Sequence, residues 1–401
     1  MVGTAGRGVV HMPAPDQMVE RARALLPALR ARRRAYDEQA CFPAENFADL
    51  RAAGLTAMTV PLELGGAGFW QDGRYSPFYE VLFTLAQADS CTAQLLQVHN
   101  HATGIIMGLG SEEQRRWVAR EVAECGKLIA SVGSEATPGA REAEKYEATL
   151  RECPGGYLLS GRKAFASLAG GADYFLIWTA VPGTTSFHER LVFALLDRDQ
   201  AGITLVNDWD VMGMRSTVSW SLVLEDVFVP PERVIGRPGA WITDDPRTFT
   251  LAYAANHCGT AQGVYDAALS YVSERRHLAE NQVVQYQLGE LSSLLYGVRT
   301  AFRAAARLWD AGDHDAAEYD SLRALHLAKK VGIDVAVRVF DICGARASFR
   351  SYPLEQGLRD LRTFTLHFRE EAYMQRVAQA ALGGHFSSKS GRGGSTPPDQ
   401  A

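Results

Sequence analysis

Apolar residues recur every three or four positions from residue 17 to about 125. That spacing predicts helices over QMVERARALLPALRARRRAYDE, AENFADLRAAGL and YEVLFTLAQADSCTAQLLQVHNHATGIIMGLG. SEEQRRWVAREV follows, with a serine cap and early acids that mark a helix start. After Gly126 the period shortens. KLIASV, YLLSGRKAF, DYFLIWTAV, RLVFALLD, GITLV and SLVLEDVFV are separated by Gly, Pro and Asp turns, which predicts a compact antiparallel β-barrel or sandwich. From about 245 long amphipathic blocks return: TLAYAANHCGTAQGVYDAALSYVSERRH, VVQYQLGELSSLLYGVRTAFRAAARLWDAG, AEYDSLRALHLAKKVGIDVAVRVFDICG and PLEQGLRDLRTFTLHFREEAYMQRVAQAALGG. Helices of this length on short loops predict a four-helix bundle.

The expected architecture is therefore α+β and multi-domain. Residues 16–125 form an N-terminal α-helical domain, 126–240 a central β-domain and 241–386 a C-terminal four-helix bundle. Residues 1–15 and 387–401 are rich in Gly, Ser and Pro and are expected as a disordered leader and tail, unable to bury enough apolar surface to offset chain entropy. Hydrophobic residues make up 47% of the 401 positions and charged ones 22%, an ordinary globular balance. A net charge of −5, with no long basic block, gives no reason to expect nucleic acid or an anionic membrane as partner. RARRR at 30–34 reads as a solvated helix face. The cysteines, at 41, 91, 125, 153, 258 and 343, never form a CxxC pair, so neither a zinc site nor a disulfide framework is signalled. With no signal peptide and no run of eighteen apolar residues, a cytoplasmic protein is expected.

Histidines in apolar surroundings raise the question of chemistry. His367 stands between Leu366 and Phe368 in RDLRTFTLHFREEAYM, and His99 and His101 share VHNH. The VHNH pair is about 200° apart around a helix, so the two cannot line one wall, and no metal site is expected. His257 follows Asn256 in AYAANHCGTAQG. No nucleophile elbow, P-loop or GxGxxG is present, which leaves hydrolase, kinase and self-contained nicotinamide-dependent readings without support.

Several stretches resemble the acyl-CoA dehydrogenase superfamily in the right order: AAGLTAMTVPLELGGAG at 52–68, YLLSGRKAFAS at 157–167, MGMRST at 212–217 with LEDVFVPPERVIG at 224–236, and PLEQGLRDLR at 353–362. The resemblance implies that superfamily's fold and a flavin. A dehydrogenase of this type needs a glutamate to remove the α-proton of a thioester, because an unactivated C–H requires a positioned base. The family's usual position, nine residues after Arg359, holds Phe368, and the second family position holds Phe249. Glu371, three residues beyond Phe368, is a displaced candidate, although Glu370 and Glu371 read equally as solvated surface. SEATPGAREAEKY at 134–146 keeps the family's Ser-Glu but not its Gly-Ser-Asp, and SERRHLAENQ and CGARAS retain only Gly344 of the diphosphate pattern. That erosion favours FMN over FAD.

A scaffold that keeps flavin and loses the base resembles the flavin-dependent monooxygenase branch of the superfamily. Thr365, Leu366 and His367 match its final-helix triplet, His99 its N-terminal histidine and Ser167 the hydroxyl after Gly-x-Lys. The resemblance implies that reduced flavin reacts with O2 to give a C4a-hydroperoxide, that Ser167 accepts a hydrogen bond from N5–H, and that His367 and His99 handle protons. Ser134, Phe165, Ser167 and Gly344 are the expected cofactor contacts, Ser134 at the flavin edge and Phe165 against the ring. His257, Asn256 and Phe368 are the expected substrate pocket, and Arg215 reads mainly as a salt-bridge residue. The implied partners are a separate flavin reductase, a small organic substrate and further copies in a homotetramer. Alternatives are an acyl-CoA dehydrogenase or oxidase with a relocated base, and a catalytically silent binding protein.

Overall fold

The computed structural model describes residues 15–135, 146–245, 247–367 and 370–389. Five helices open the chain: α1 (Pro15–Gln39), α2 (Ala44–Ala52), α3 (Ser76–Ala86), α4 (Ser90–Leu109) and α5 (Glu112–Ala119). The Asp89 carboxylate caps α4 by accepting from the amides of Cys91 and Thr92. Nearly all of α4 is buried, so it is a central strut and its polar side chains must find partners inside the protein. In the RARRR run, Arg34 pairs with Glu38 on the surface, but Arg33 turns inward and donates to the carbonyl of Ala88 at 3.2 Å.

The middle region is a sandwich and not a closed barrel. Its strands are β1 (Ile129–Val132), β2 (Thr149–Cys153), β3 (Gly156–Ala166), β4 (Tyr174–Ala180), β5 (Leu191–Asp197), β6 (Ile203–Val206), β7 (Trp220–Val229) and β8 (Val234–Ile235). They form two four-stranded sheets, ordered β1-β4-β5-β8 and β2-β3-β7-β6. Pairing is antiparallel except between β1 and β4, which run parallel because β1 arrives from the helical domain. A short α6 (Phe187–Arg190) precedes β5, and α7 (Ala240–Thr243) leads out of the domain.

The bundle consists of α8 (Thr250–Ser273), a short α9 (Arg276–Ala279), α10 (Gln282–Asp310), α11 (His314–Cys343) and α12 (Leu354–Phe364) with α13 (Glu370–Ala381). Gly259 is where α8 meets α3: a Cβ there would lie 2.3 Å from the carbonyl oxygen of Phe83, so only glycine permits the approach. The fourth bundle helix, expected unbroken, ends at Phe364. The amides of Leu366 and His367 turn to the carbonyls of Thr363 and Phe364, a 3₁₀-type tightening. Thr365 Oγ1 donates to the carbonyl of Arg362 at 2.7 Å, so the side chain competes with the helix ladder. Packing extends past the boundary expected at 386, since Ser388 is buried and its amide donates to Asp315. Of the expected leader and tail, residues 1–14 and 390–401 lie outside the described residues. Among the described residues no helix is long and apolar enough to cross a membrane, and no group of three or more His, Cys, Asp or Glu could hold a metal ion.

Candidate active site

The site lies at the seam between the sandwich and the bundle, and α12 ties the two together. Met214 donates its amide to Asp360 Oδ1 at 2.6 Å, and Arg359 Nη1 donates to the carbonyl of Met212 at 2.7 Å. Gly213 between them lies against α12 so closely that a Cβ would sit 2.1 Å from the Arg359 carbonyl oxygen. The loop before β7 is thus pinned to the bundle. Arg215 in that loop donates to the carbonyls of Asp37 and Val211, and its contact to Asp210 is 3.9 Å, so it is a loop anchor more than a salt-bridge residue.

On the sandwich side, strain concentrates in one place. Phe165, Leu168, Met214 and Val218 all have left-handed backbones, with φ of 55°, 77°, 55° and 42°. Such residues cost on the order of 1–3 kcal/mol each and cluster at functional sites. They are held together by the Leu168 amide, which donates to the carbonyl of Thr217, and by the end of β3 against β7. The strain turns Phe165 outward, 61% exposed and edge-on to Trp209. Ser134, also exposed, adjoins it through the Ala164 amide, which donates to the Ser134 carbonyl. Ser167 is half-buried, with its Oγ 2.9 Å from that of Ser219. Three of the expected cofactor contacts are therefore neighbours. Gly344 is not among them: it ends α11 with φ 73° beside the turn leading to α12, whose length, roughly 15 Å, separates it from His367.

On the bundle side His367 Nε2 and the Tyr253 hydroxyl are hydrogen-bonded at 2.7 Å, with ring centroids 4.6 Å apart. His257, one turn further along α8, stacks on Phe364 at 4.5 Å. Its Nδ1 is buried with no hydrogen-bond partner among the described residues, and burial, helped by Lys329 and His367, lowers its pKa to about 3. Asn256 points elsewhere, donating to the Ser90 carbonyl at 3.0 Å and accepting from Thr260, and so serves the α4–α8 crossing. Phe368 lies outside the described residues. Phe249, at the other expected base position, packs against His101, Trp178 and Trp241.

Two expectations change here. His99 is completely buried, its Nε2 donates to the Thr56 carbonyl at 2.8 Å and its Nδ1 accepts from the Ile129 amide at 3.0 Å. Burial lowers its pKa to about 4. With both nitrogens committed to backbone it joins α4 to β1 and has no atom left for proton transfer. Glu370 and Glu371, read together as surface, part ways. Glu371 is exposed, while Glu370 pairs with His326 and lies 3.6 Å from Lys329. Although burial opposes it, those two neighbours hold the Glu370 carboxyl below its usual range. Neither glutamate is a free base at the seam.

The sequence reading missed Tyr253, Gln94 and Gln97. Tyr253 was legible as a hydroxyl one helical turn before His257. The glutamines lie on α4, the most completely buried helix of the first domain. Gln94 Oε1 and both amide atoms of Gln97 are buried with no hydrogen-bond partner among the described residues. Asn256 meets Ser90, and Phe249 meets His101, so α8 runs antiparallel to α4 and both glutamines fall near the level of Tyr253.

Three family profiles match in sequence order: the acyl-CoA dehydrogenase N-terminal domain over 15–125, the middle domain over 131–227 and the C-terminal domain over 251–371. The chain belongs to the acyl-CoA dehydrogenase family. Within it, dibenzothiophene monooxygenase of Rhodococcus erythropolis is 28% identical over 368 residues, covering 84% of this chain and 86% of the relative. A putative acyl-CoA dehydrogenase of Bacillus subtilis (strain 168) is 30% identical over 354 residues, covering 81% and 86%. The crystal structure of TdsC from Paenibacillus sp. A11-2 with FMN and indole superposes with a TM-score of 0.84 at 22% identity, over 94% of this chain and 99% of that one.

Proposed function

We propose that this chain is the oxygenase component of a two-component flavin-dependent monooxygenase, which takes reduced FMN from a separate reductase and oxygenates a small organic substrate with O2. It is a flavin-dependent oxidoreductase on the monooxygenase side of its family, as its relationship to dibenzothiophene monooxygenase supports. The observation that carries the reading is the Tyr253–His367 pair, 2.7 Å apart at a seam whose two nearby glutamates are exposed or ion-paired. A histidine and a phenol exchange protons near neutral pH; they do not replace a carboxylate that abstracts an α-proton.

The residues present fit a flavin. Phe165 offers an exposed aromatic face, and strained backbone holds it there. Ser167, two residues on, offers a half-buried hydroxyl, and Ser134 lines the edge. When bound and reduced, FMN supplies the two electrons that activate O2. That chemistry would place one oxygen atom in the substrate and release the other as water. Phe165 would hold the ring, and Ser167 Oγ would accept a hydrogen bond from the flavin. His367 Nε2, held by Tyr253, would move the proton that the departing oxygen requires, and Phe364 packs against the Tyr253 ring on the buried side of the pair.

A separate reductase is inferred because the sequence has no glycine-rich nicotinamide-binding motif. A homotetramer is supported by Val283, Tyr286 and Tyr296, apolar residues left exposed on α10. Six free cysteines suit a reducing cytoplasm. The test is turnover under ¹⁸O2 with reduced FMN and a panel that includes dibenzothiophene and indole. One labelled atom in a product is the expected result; peroxide alone, with every panel member recovered unchanged, would count against the reading.

A further inference from the structure

The hydroxyls behind Ser167 can be ordered by counting hydrogens. Thr217 Oγ1 lies 2.7 Å from the Met214 carbonyl oxygen, which has no hydrogen, so Thr217 is the donor. Thr217 Oγ1 also lies 2.8 Å from Ser219 Oγ, and with its one hydrogen spent it accepts there. Ser219 is then the donor to Thr217 and the acceptor at its 2.9 Å contact with Ser167. Ser167 therefore donates inward and turns only lone pairs outward. Thr217 and Ser219 are buried, which denies them water that could reverse the order.

The start of the chain is fixed as well. The Met214 carbonyl also accepts from Trp209 Nε1 at 3.0 Å, and the Met214 amide is held by Asp360. The amides of Ser167, Leu168 and Ala169 do not compete, because they are bonded to the carbonyls of Phe165, Thr217 and Ala166.

We infer that Thr217 and Ser219 are positioning residues that set Ser167 as an acceptor and so make the site prefer reduced flavin over oxidised. The inference rests on the flavin lying against Ser167, as proposed above. Reduced flavin carries a hydrogen on N5 and oxidised flavin a lone pair, so an acceptor-only hydroxyl pairs with the first and opposes the second. A component that collects reduced FMN from solution and discards oxidised FMN after each cycle is served by this discrimination.

The test measures dissociation constants of the full chain for FMN, oxidised in air and reduced under anaerobic conditions, together with the midpoint potential of bound FMN. The wild type is expected to bind reduced FMN about 10-fold more tightly, which for a two-electron couple raises the potential by about 30 mV over free FMN. Thr217→Val leaves Ser219 free to donate to Ser167, whose hydrogen can then face N5, so the preference collapses. Ser219→Ala does the same by another route, and Thr217→Ser, which keeps the hydroxyl, retains the preference and guards against a folding artefact. Equal affinity for both forms in the wild type, or an unchanged ratio in both Thr217→Val and Ser219→Ala, overturns the inference alone. Failure of the wild type to bind either form overturns the inference and the proposed function together.

Discussion

Tyr253 on α8 and His367 in the turn after α12 meet through one hydrogen bond, so each fixes the other's ring. Replacing His367 with Gln removes the proton carrier while keeping a polar side chain, and product formation should fall by about 10²–10⁴-fold, the usual span for general acid-base assistance. Rapid-quench measurement of product per turnover checks it. Gln97 makes a prediction of the opposite kind. Its amide is buried with no hydrogen-bond partner among the described residues, and such a group costs about 1–3 kcal/mol in desolvation. Gln97→Leu should therefore stabilise the chain by about that amount in urea unfolding, and a lower midpoint would show that the amide serves the fold. These two residues also mark how far single positions could be read. His367 stood out by its family position, whereas Tyr253 and Gln97 gain meaning only when α4 and α8 are laid side by side. His99 failed for the same reason, since nothing in VHNH reveals that Thr56 and Ile129 occupy both its nitrogens.

At the scale of elements, α12 is the link between sandwich and bundle, and Asp360 is the group on it most sensitive to pH. Burial, with the nearby carboxylates of Asp37 and Asp89 adding to it, raises its pKa to about 7; the Met214 amide and Arg359 act against this. Arg33 lines the same cleft. Between its ordinary value near 3.8 and 7 the folded chain holds a proton that the unfolded chain has released. Stability therefore falls as pH rises across that window, by up to about 4 kcal/mol from this group, and levels off above it. Asp360→Asn, which can still accept from Met214, should remove that slope in denaturation curves taken from pH 4 to pH 8. The regular elements were legible because their apolar periods are long and uninterrupted. The break at Thr365–His367 was not, because the apolar spacing runs straight through it and only the side-chain bond of Thr365 to its own helix betrays the stop.

For the molecule as a whole, domain order was readable because a helical period gives way to a strand period and then returns along the chain. The order within the sandwich was not, since the parallel pairing of β1 with β4 depends on where α5 delivers the chain. The exposed apolar residues of α10 predict association, and light scattering should return four times the 43.8 kDa of one chain. Tyr286→Lys with Tyr296→Lys should lower that mass if this face is the contact.

The central claim, oxygenation through reduced flavin in place of thioester dehydrogenation, meets its most direct test in stopped-flow absorbance. The chain is loaded with reduced FMN and mixed with O2. The account predicts a long-lived transient absorbing between reduced and oxidised flavin, which decays faster in Ser167→Ala. Single-step reoxidation with no transient, together with bleaching of bound oxidised FMN by an acyl-CoA, would contradict it.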